Sequence, residues 1–159
     1  MLPIRAGDTR GVDSAAAVDG ILHAVAAGAK VINLSYGGPS SSLEERRALA
    51  AALAQDVAIV ASAGNSAEDG NPVLYPAATL GGARGGWGDG GVSVAASTPS
   101  GARAGFSTFN DAVGIAAPGA SDVLPTDVGG GRVVDLGPCF GLLSTATRGA
   151  SEMADDPQN

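Results

Sequence analysis

The sequence predicts an α/β fold, a three-layer αβα arrangement around a mostly parallel sheet. Three observations carry that prediction. Val57–Ser62 (VAIVAS) is a run of small and β-branched apolar residues without polar alternation, as a strand buried on both faces requires. Val92–Ser97 (VSVAAS) and Val113–Ala117 (VGIAA) repeat the pattern. Ahead of the first of these runs lie stretches of helical character, and strand, helix, strand within about thirty residues is a βαβ unit. Two such units in succession give a parallel sheet with helices outside.

The elements follow in order. Leu2–Ala6 (LPIRA) reads as a short strand, followed by the turn-rich GDTRG of residues 7–11. From Ser14 to Ala27 the apolar residues Val18, Ile21, Leu22 and Val25 fall at i, i+3, i+4 and i+7, one face of a helix. Asp13 or Ser14 caps its start, and Gly28 supplies a left-handed stop. Lys30–Ser35 (KVINLS) is the next strand, ended by Tyr36-Gly37-Gly38-Pro39 and a serine run that continue neither periodicity. Ser41 with Glu44, and Ser42 with Glu45, both have capping-box spacing, so a second helix opens near Leu43 and runs to about Ala54.

Val57–Ser62 then stops at Ala63-Gly64, and Asn65 lies just past its carboxyl end, the edge where open α/β sheets place their ligands. Asp69-Gly70-Asn71-Pro72 is turn chemistry, Tyr75-Pro76-Ala77 a kinked extended piece, and Leu80–Gly91 a glycine-rich loop carrying Trp87. The last two strands follow, the second closed by Pro118-Gly119. From Ala120 onward no periodicity is present, and the polar stretch from Gly149 reads as a frayed end. The expected organisation is a folded α/β portion over residues 1–119 and an irregular, poorly ordered segment over 120–159.

Composition narrows the function. Hydrophobic residues make up 45% and aromatics only 4%, so the core must be built from Ala, Val, Ile and Leu. A formal charge of -7 argues against nucleic-acid and anionic-membrane partners, which call for clustered Lys and Arg. Cys139 is the single cysteine, which leaves no intrachain disulfide and no zinc set. No apolar run approaches the roughly 20 residues of a membrane span, and residues 1–20 lack the apolar core of a signal peptide. The expectation is a soluble chain with no compartment address. The glycine-rich loop holds no GxGxxG between a strand and a helix, so dinucleotide binding is unsupported.

Six segments in order carry a more specific signal: GILHAVAAGAKVINLSYGGP (Gly20–Pro39), VAIVASAGNS (Val57–Ser66), YPA (Tyr75–Ala77), VSVAAS (Val92–Ser97), GFS (Gly105–Ser107) and AAPG (Ala116–Gly119). Together they resemble the subtilisin-like serine peptidases, the subtilases, whose fold the chain would share in part. The resemblance implies peptide-bond hydrolysis through an acyl-enzyme, an extended peptide or protein substrate, and no cofactor. Family members are commonly secreted, and some bind calcium. Asp69, Asn71 and Asp89 carry oxygens of the kind calcium binds, but their spacing matches no compact calcium loop, so no calcium site is named.

The resemblance also implies roles. Asn65 corresponds to the family's oxyanion-hole donor. Acyl transfer places negative charge on a carbonyl oxygen, and a neutral amide fixed at a strand end stabilises it without adding a titrating proton. An asparagine after glycine also caps turns, which is the plain alternative. Ser35, Tyr36, Gly37 and Gly38 correspond to the substrate-pairing segment, where glycines let a second backbone approach. Ala61, Ser62, Ala63 and Gly64 correspond to one wall of the pocket for the residue before the scissile bond. Their small side chains leave room there for a large one.

The triad is where the pattern departs from the family. A nucleophilic serine needs a histidine within hydrogen-bond reach and an aspartate to orient it. His23 stands in LHAV on the first helix, not in the family's HGT motif, and reads as a structural or surface residue. Asp8 in GDTRG stands too close to that helix for the family's Asp-Thr-Gly position. GASEMADDP (149–157) is a blurred echo of the nucleophile segment Gly-Thr-Ser-Met-Ala-x-Pro, with Ser151 in the nucleophile's place beside new carboxylates. The expectation is a partial peptidase that is inactive alone. The alternatives are a non-catalytic peptide-binding module or an incomplete gene product.

Overall fold

The computed structural model describes residues 1–81, 91–120, 126–127 and 133–134. Trp87, Asp89, Cys139, Ser151 and most of the 120–159 segment lie outside the described residues. Four parallel strands form the sheet: β3 (Val31–Leu34), β4 (Ala58–Ser62), β5 (Gly91–Ser97) and β6 (Ile115–Pro118), side by side in chain order. Ahead of them lie a two-residue-stranded hairpin, β1 (Gly7–Asp8) with β2 (Gly11–Val12), and α1 (Ser14–Ala26). Helix α2 (Leu43–Leu53) joins β3 to β4, and α3 (Ala77–Gly81) precedes β5. A short antiparallel pair, β7 (Thr126–Asp127) with β8 (Val133–Val134), follows. No helix among the described residues is long and apolar enough to cross a membrane.

The helix ends are set by local chemistry. The Asp13 carboxylate accepts from the Ala16 N–H at 2.8 Å, so Asp13 is the cap of α1. Gly28 takes φ 80°, the left-handed stop. Of the two capping-box pairs, the structure uses Ser42, whose hydroxyl accepts from the Glu45 N–H at 3.0 Å.

Two sequence expectations are corrected. Leu2–Ala6 is not a strand: Ile4 packs over Gly20 of α1, and the pairing in this region belongs to the β1–β2 hairpin instead. A strand needs a neighbour, and the segment leans on a helix. The Asp8 carboxylate ties down the hairpin turn, accepting from the Arg10 N–H at 2.9 Å and pairing with its guanidinium at 2.7 Å. Those bonds hold Asp8 below the usual carboxylate range. The second correction is α3, which forms where extended chain and loop were expected. Leu80, 4% exposed, pins it to the core, and its N–H donates to Pro76 O at 3.2 Å.

The core lies on one face of the sheet. Ile32 and Leu34 of β3 and Ile59 and Ala61 of β4 pack with Ile21 and Ala24 of α1, Ala48, Leu49 and Ala52 of α2, and Leu80 of α3. Right-handed crossovers between strands added in one direction leave every connection on the same side, which explains the one-sided packing. The alternate residues face the other way: Val31, Val60, Val92, Val94 and Ile115 share the opposite face by register. There Val31 is 62% and Ile115 37% exposed. The described residues thus supply two of the three expected layers.

Candidate functional site

The site grows from the end of β4. Ala63 continues the sheet pairing by donating to Val94 O at 2.8 Å, and then Gly64 turns the chain at φ 107°. A side chain could not replace the glycine cheaply: that φ is unfavourable for L-residues, and a Cβ would collide with Leu74 Cδ1. The loop beyond is held from residues 106–109. Gly64 O accepts from Thr108 N at 3.0 Å, the Ser66 N–H donates to Thr108 Oγ1 at 3.3 Å, and the Ala67 N–H to Phe106 O at 3.1 Å. Thr108 itself is 1% exposed.

Arg103 braces that support. Its guanidinium donates to the carbonyls of Ala104, Gly105 and Ser107 at 2.8–2.9 Å and sits 4.3 Å from the centre of the Phe109 ring. Ser107 accepts from the Ala96 N–H at 2.8 Å, which links the loop back to β5. Asn71 accepts from the Phe109 N–H at 2.9 Å, so its carbonyl oxygen already has a partner within the fold. The clamps from Gly64, Ser66, Ala67 and Asn71 were not legible in the sequence, because they join residues about forty positions apart.

Asn65 emerges from this braced loop exposed, and its side-chain amide has no hydrogen-bond partner among the described residues. It borders a cavity of about 240 Å³ together with Ser35, Ala61, Ser62 and Gly64. Tyr36, Gly37 and Gly38 border a second cavity, of about 490 Å³. Ala63 is buried and borders neither. The half-buried Leu74 side chain packs beside Gly64 of that wall and also reaches to Gly37.

The Ser35–Gly38 segment is not uniformly available. Gly38 exchanges two backbone hydrogen bonds with Tyr75, each 2.9 Å. Among the described residues, the N–H and C=O of Tyr36 and Gly37 take no backbone partner. Ser35 Oγ accepts from the Asn33 side-chain amide at 2.8 Å.

Behind the segment, the Tyr36 hydroxyl donates to Glu45 Oε1 at 3.1 Å and the Ser41 hydroxyl to Oε2 at 2.7 Å. Burial, and then the neighbouring Glu45 charge, push the Tyr36 hydroxyl above its ordinary value, so it stays a donor. The sequence read Glu45 only as a capping residue, and nothing local marked its side chain as part of a cavity.

His23 is exposed in the last turn of α1. That turn leads within a few residues into the amino end of β3, so His23 sits at the opposite edge of the sheet from Asn65. Among the described residues no group of three His, Cys, Asp or Glu side chains could hold a metal ion.

The subtilase family profile matches residues 1–150. Subtilisin DY of Bacillus licheniformis is 37% identical over 108 residues, covering 67% of this chain and 36% of its own length. A prenylagaramide maturation protease superposes with a TM-score of 0.60 at 25% identity, over 74% of this chain and 42% of that one. A psychrophilic subtilisin-like protease from Pseudoalteromonas sp. AS-11 superposes with a TM-score of 0.53 at 35% identity, over 64% of this chain and 21% of that one. The chain therefore spans well under half the length of these relatives. The parallel α/β sheet is the fold of serine peptidases of this kind, and with a profile match over nearly its whole length the chain belongs to the subtilase family.

Proposed function

We propose that residues 1–159 carry the peptide-binding and oxyanion-stabilising part of a subtilisin-like serine endopeptidase site, and that this chain alone does not hydrolyse peptides. The carrying observation is Asn65: an exposed amide with no hydrogen-bond partner among the described residues, just past the carboxyl end of β4, on the same cavity as Ser35, Ser62 and Gly64. The loop that carries it is braced by Thr108 and Phe106, so its backbone needs little reorganisation when charge develops on a carbonyl oxygen. The unpaired backbone groups of Tyr36 and Gly37 would take a peptide as an added strand. On this reading the site is confined to residues 1–119, with Ala61–Gly64 as a wall. On the same reading His23, at the opposite sheet edge from Asn65, and Asp8, paired with Arg10, take no part in a triad.

The second reading, a peptide-binding module without a catalytic past of its own, makes the same binding prediction. It differs in assigning Asn65 no role. Calorimetric titration of an extended-peptide panel separates these ideas. Saturable binding that Gly37→Val abolishes supports the added-strand mode, since a Cβ at Gly37 would meet Leu74 only at ordinary contact distance, 3.6 Å. Tighter binding of peptides ending in a phosphonate, a tetrahedral oxyanion that needs no enzyme nucleophile, than of the parent peptides, lost in Asn65→Ala, favours the oxyanion role. Labelling by a fluorophosphonate that disappears in Ser151→Ala would overturn the inactive assignment.

A further inference from the structure

Asn65 is exposed, so packing around its own side chain does not aim its amide. Its two chain neighbours are held instead, and by one residue of a distant loop. Gly64 O accepts from the Thr108 N–H at 3.0 Å, and the Ser66 N–H donates to Thr108 Oγ1 at 3.3 Å. The first of these groups belongs to the peptide plane that enters Asn65, and the second to the plane that leaves it. Peptide planes are rigid, so fixing both fixes the φ and ψ between them, and with these the direction of the Asn65 side chain. The same Thr108 hydroxyl lies against Gly64, where an added Cβ would stand 3.1 Å from its oxygen.

Thr108 is well anchored for that task. Both it and Ser107 are 1% exposed. Ser107 Oγ accepts from the Ala96 N–H of β5 at 2.8 Å, and on the other flank the Phe109 N–H donates to the Asn71 side chain at 2.9 Å. Of the two bonds to the Asn65 loop, the backbone one asks for no particular side chain, whereas the one from Ser66 asks for a hydroxyl. Among the described residues the Ser66 N–H has no other acceptor. The branched Cβ of a threonine restricts χ1, which gives that hydroxyl a set direction.

We propose that Thr108 is the positioning residue of the oxyanion donor: its hydroxyl, by holding the Ser66 N–H, sets the direction in which Asn65 presents its amide. The proposal rests on the oxyanion reading of Asn65. A donor already aimed at the place where charge develops needs no reorientation at that moment, and this is the source of its effect. Without the hydroxyl, the Ser66 N–H must turn to water for an acceptor. The peptide plane after Asn65 turns with it, and the amide leaves its line. Thr108 touches no substrate on this account and acts through Asn65 alone.

The test compares peptides ending in a phosphonate with their parent peptides, titrated calorimetrically into the 159-residue chain. The quantity read is the affinity advantage of the phosphonate. Thr108→Val keeps the shape and removes the acceptor; it should lower that advantage by about tenfold, short of the roughly hundredfold that a 1 Å misplacement can cost. Thr108→Ser, which restores the hydroxyl, should keep most of the advantage. In an Asn65→Ala background Thr108→Val should have no further effect on it. None of these changes alters the net charge, so general repulsion of the phosphonate by the chain cancels from the comparison. Thermal melting by circular dichroism checks folding. Should Thr108→Val not fold, Thr108→Cys, whose sulfur is a weak acceptor, decides the question by the same ratio. Weakening of parent and phosphonate peptides in equal proportion is what a merely structural role would give, and it overturns the proposal. An advantage that survives Thr108→Val, or that Thr108→Val lowers equally without Asn65, overturns it while leaving the oxyanion reading intact. Absence of any phosphonate advantage in the unaltered chain overturns both.

Discussion

The two faces of the four-stranded sheet are made of similar residues and live in different surroundings. On one face Ile59 and Ala61 are fully buried under α1, α2 and α3. On the other, Val31 is 62% exposed, and Val60, Val92 and Val94 are only half-buried. Parallel sheets are normally covered on both sides. The sequence is written for that, since its strands lack polar alternation. The same division runs through the site. Asn33, Val60, Ser62 and Val94 bring the bare face to the Asn65 cavity, whereas the Glu45 cavity is built from the helices and loops of the covered side. The Glu45 cavity thus has a complete wall, and the Asn65 cavity has an open one.

The sharpest way to break this contrast uses two neighbouring residues of β4. Ile59→Ala should cost about 2–5 kcal/mol, because it empties a fully packed position. Val60→Ala, one residue on and facing the other way, should cost roughly 1 kcal/mol or less, because its surroundings are partly solvent. Urea unfolding midpoints measure both. Equal costs would mean that the bare face is covered in solution and that the two faces do not differ.

A smaller effect tests the joint between strand and site. Gly64→Ala should destabilise by about 1–3 kcal/mol, from its positive φ and the collision with Leu74. Adding Leu74→Ala should recover the collision part and leave the backbone part, so the two changes will not be additive. Strict additivity by urea titration would show that Leu74 does not fill the space beside Gly64.

These residues also mark what was legible beforehand. Four strands, two helices and their caps were readable because apolar run length and cap chemistry are local properties: Asp13, Ser42 and Gly28 act where the sequence places them. Leu2–Ala6 was misread because a strand exists only beside a neighbour, and α3 was missed because five residues hold their shape through the burial of Leu80 rather than through periodicity. At the sheet edge, the place of Asn65 just past a buried strand was legible. Glu45, Leu74 and Arg103 were not. Leu74 meets Gly37 across the fold, and Glu45 and Arg103 bond chain neighbours whose placement depends on how each loop folds, which residue spacing does not report.

The smallest expected change probes the exposed border of the bare face. β3 pairs with β4 on one side and with no strand on the other among the described residues, so a row of backbone donors and acceptors is presented beside the exposed Val31. An uncovered edge of this kind is a template for pairing with another chain, and a lysine on it is a common means of preventing that. Val31→Lys should therefore shift stability by no more than about 0.5 kcal/mol, since the side chain is already largely solvated. It should nonetheless lower concentration-dependent self-association in sedimentation velocity. A variant that loses several kcal/mol instead would place Val31 in a packed environment, and the contrast between the two faces would then have to be drawn further from this edge.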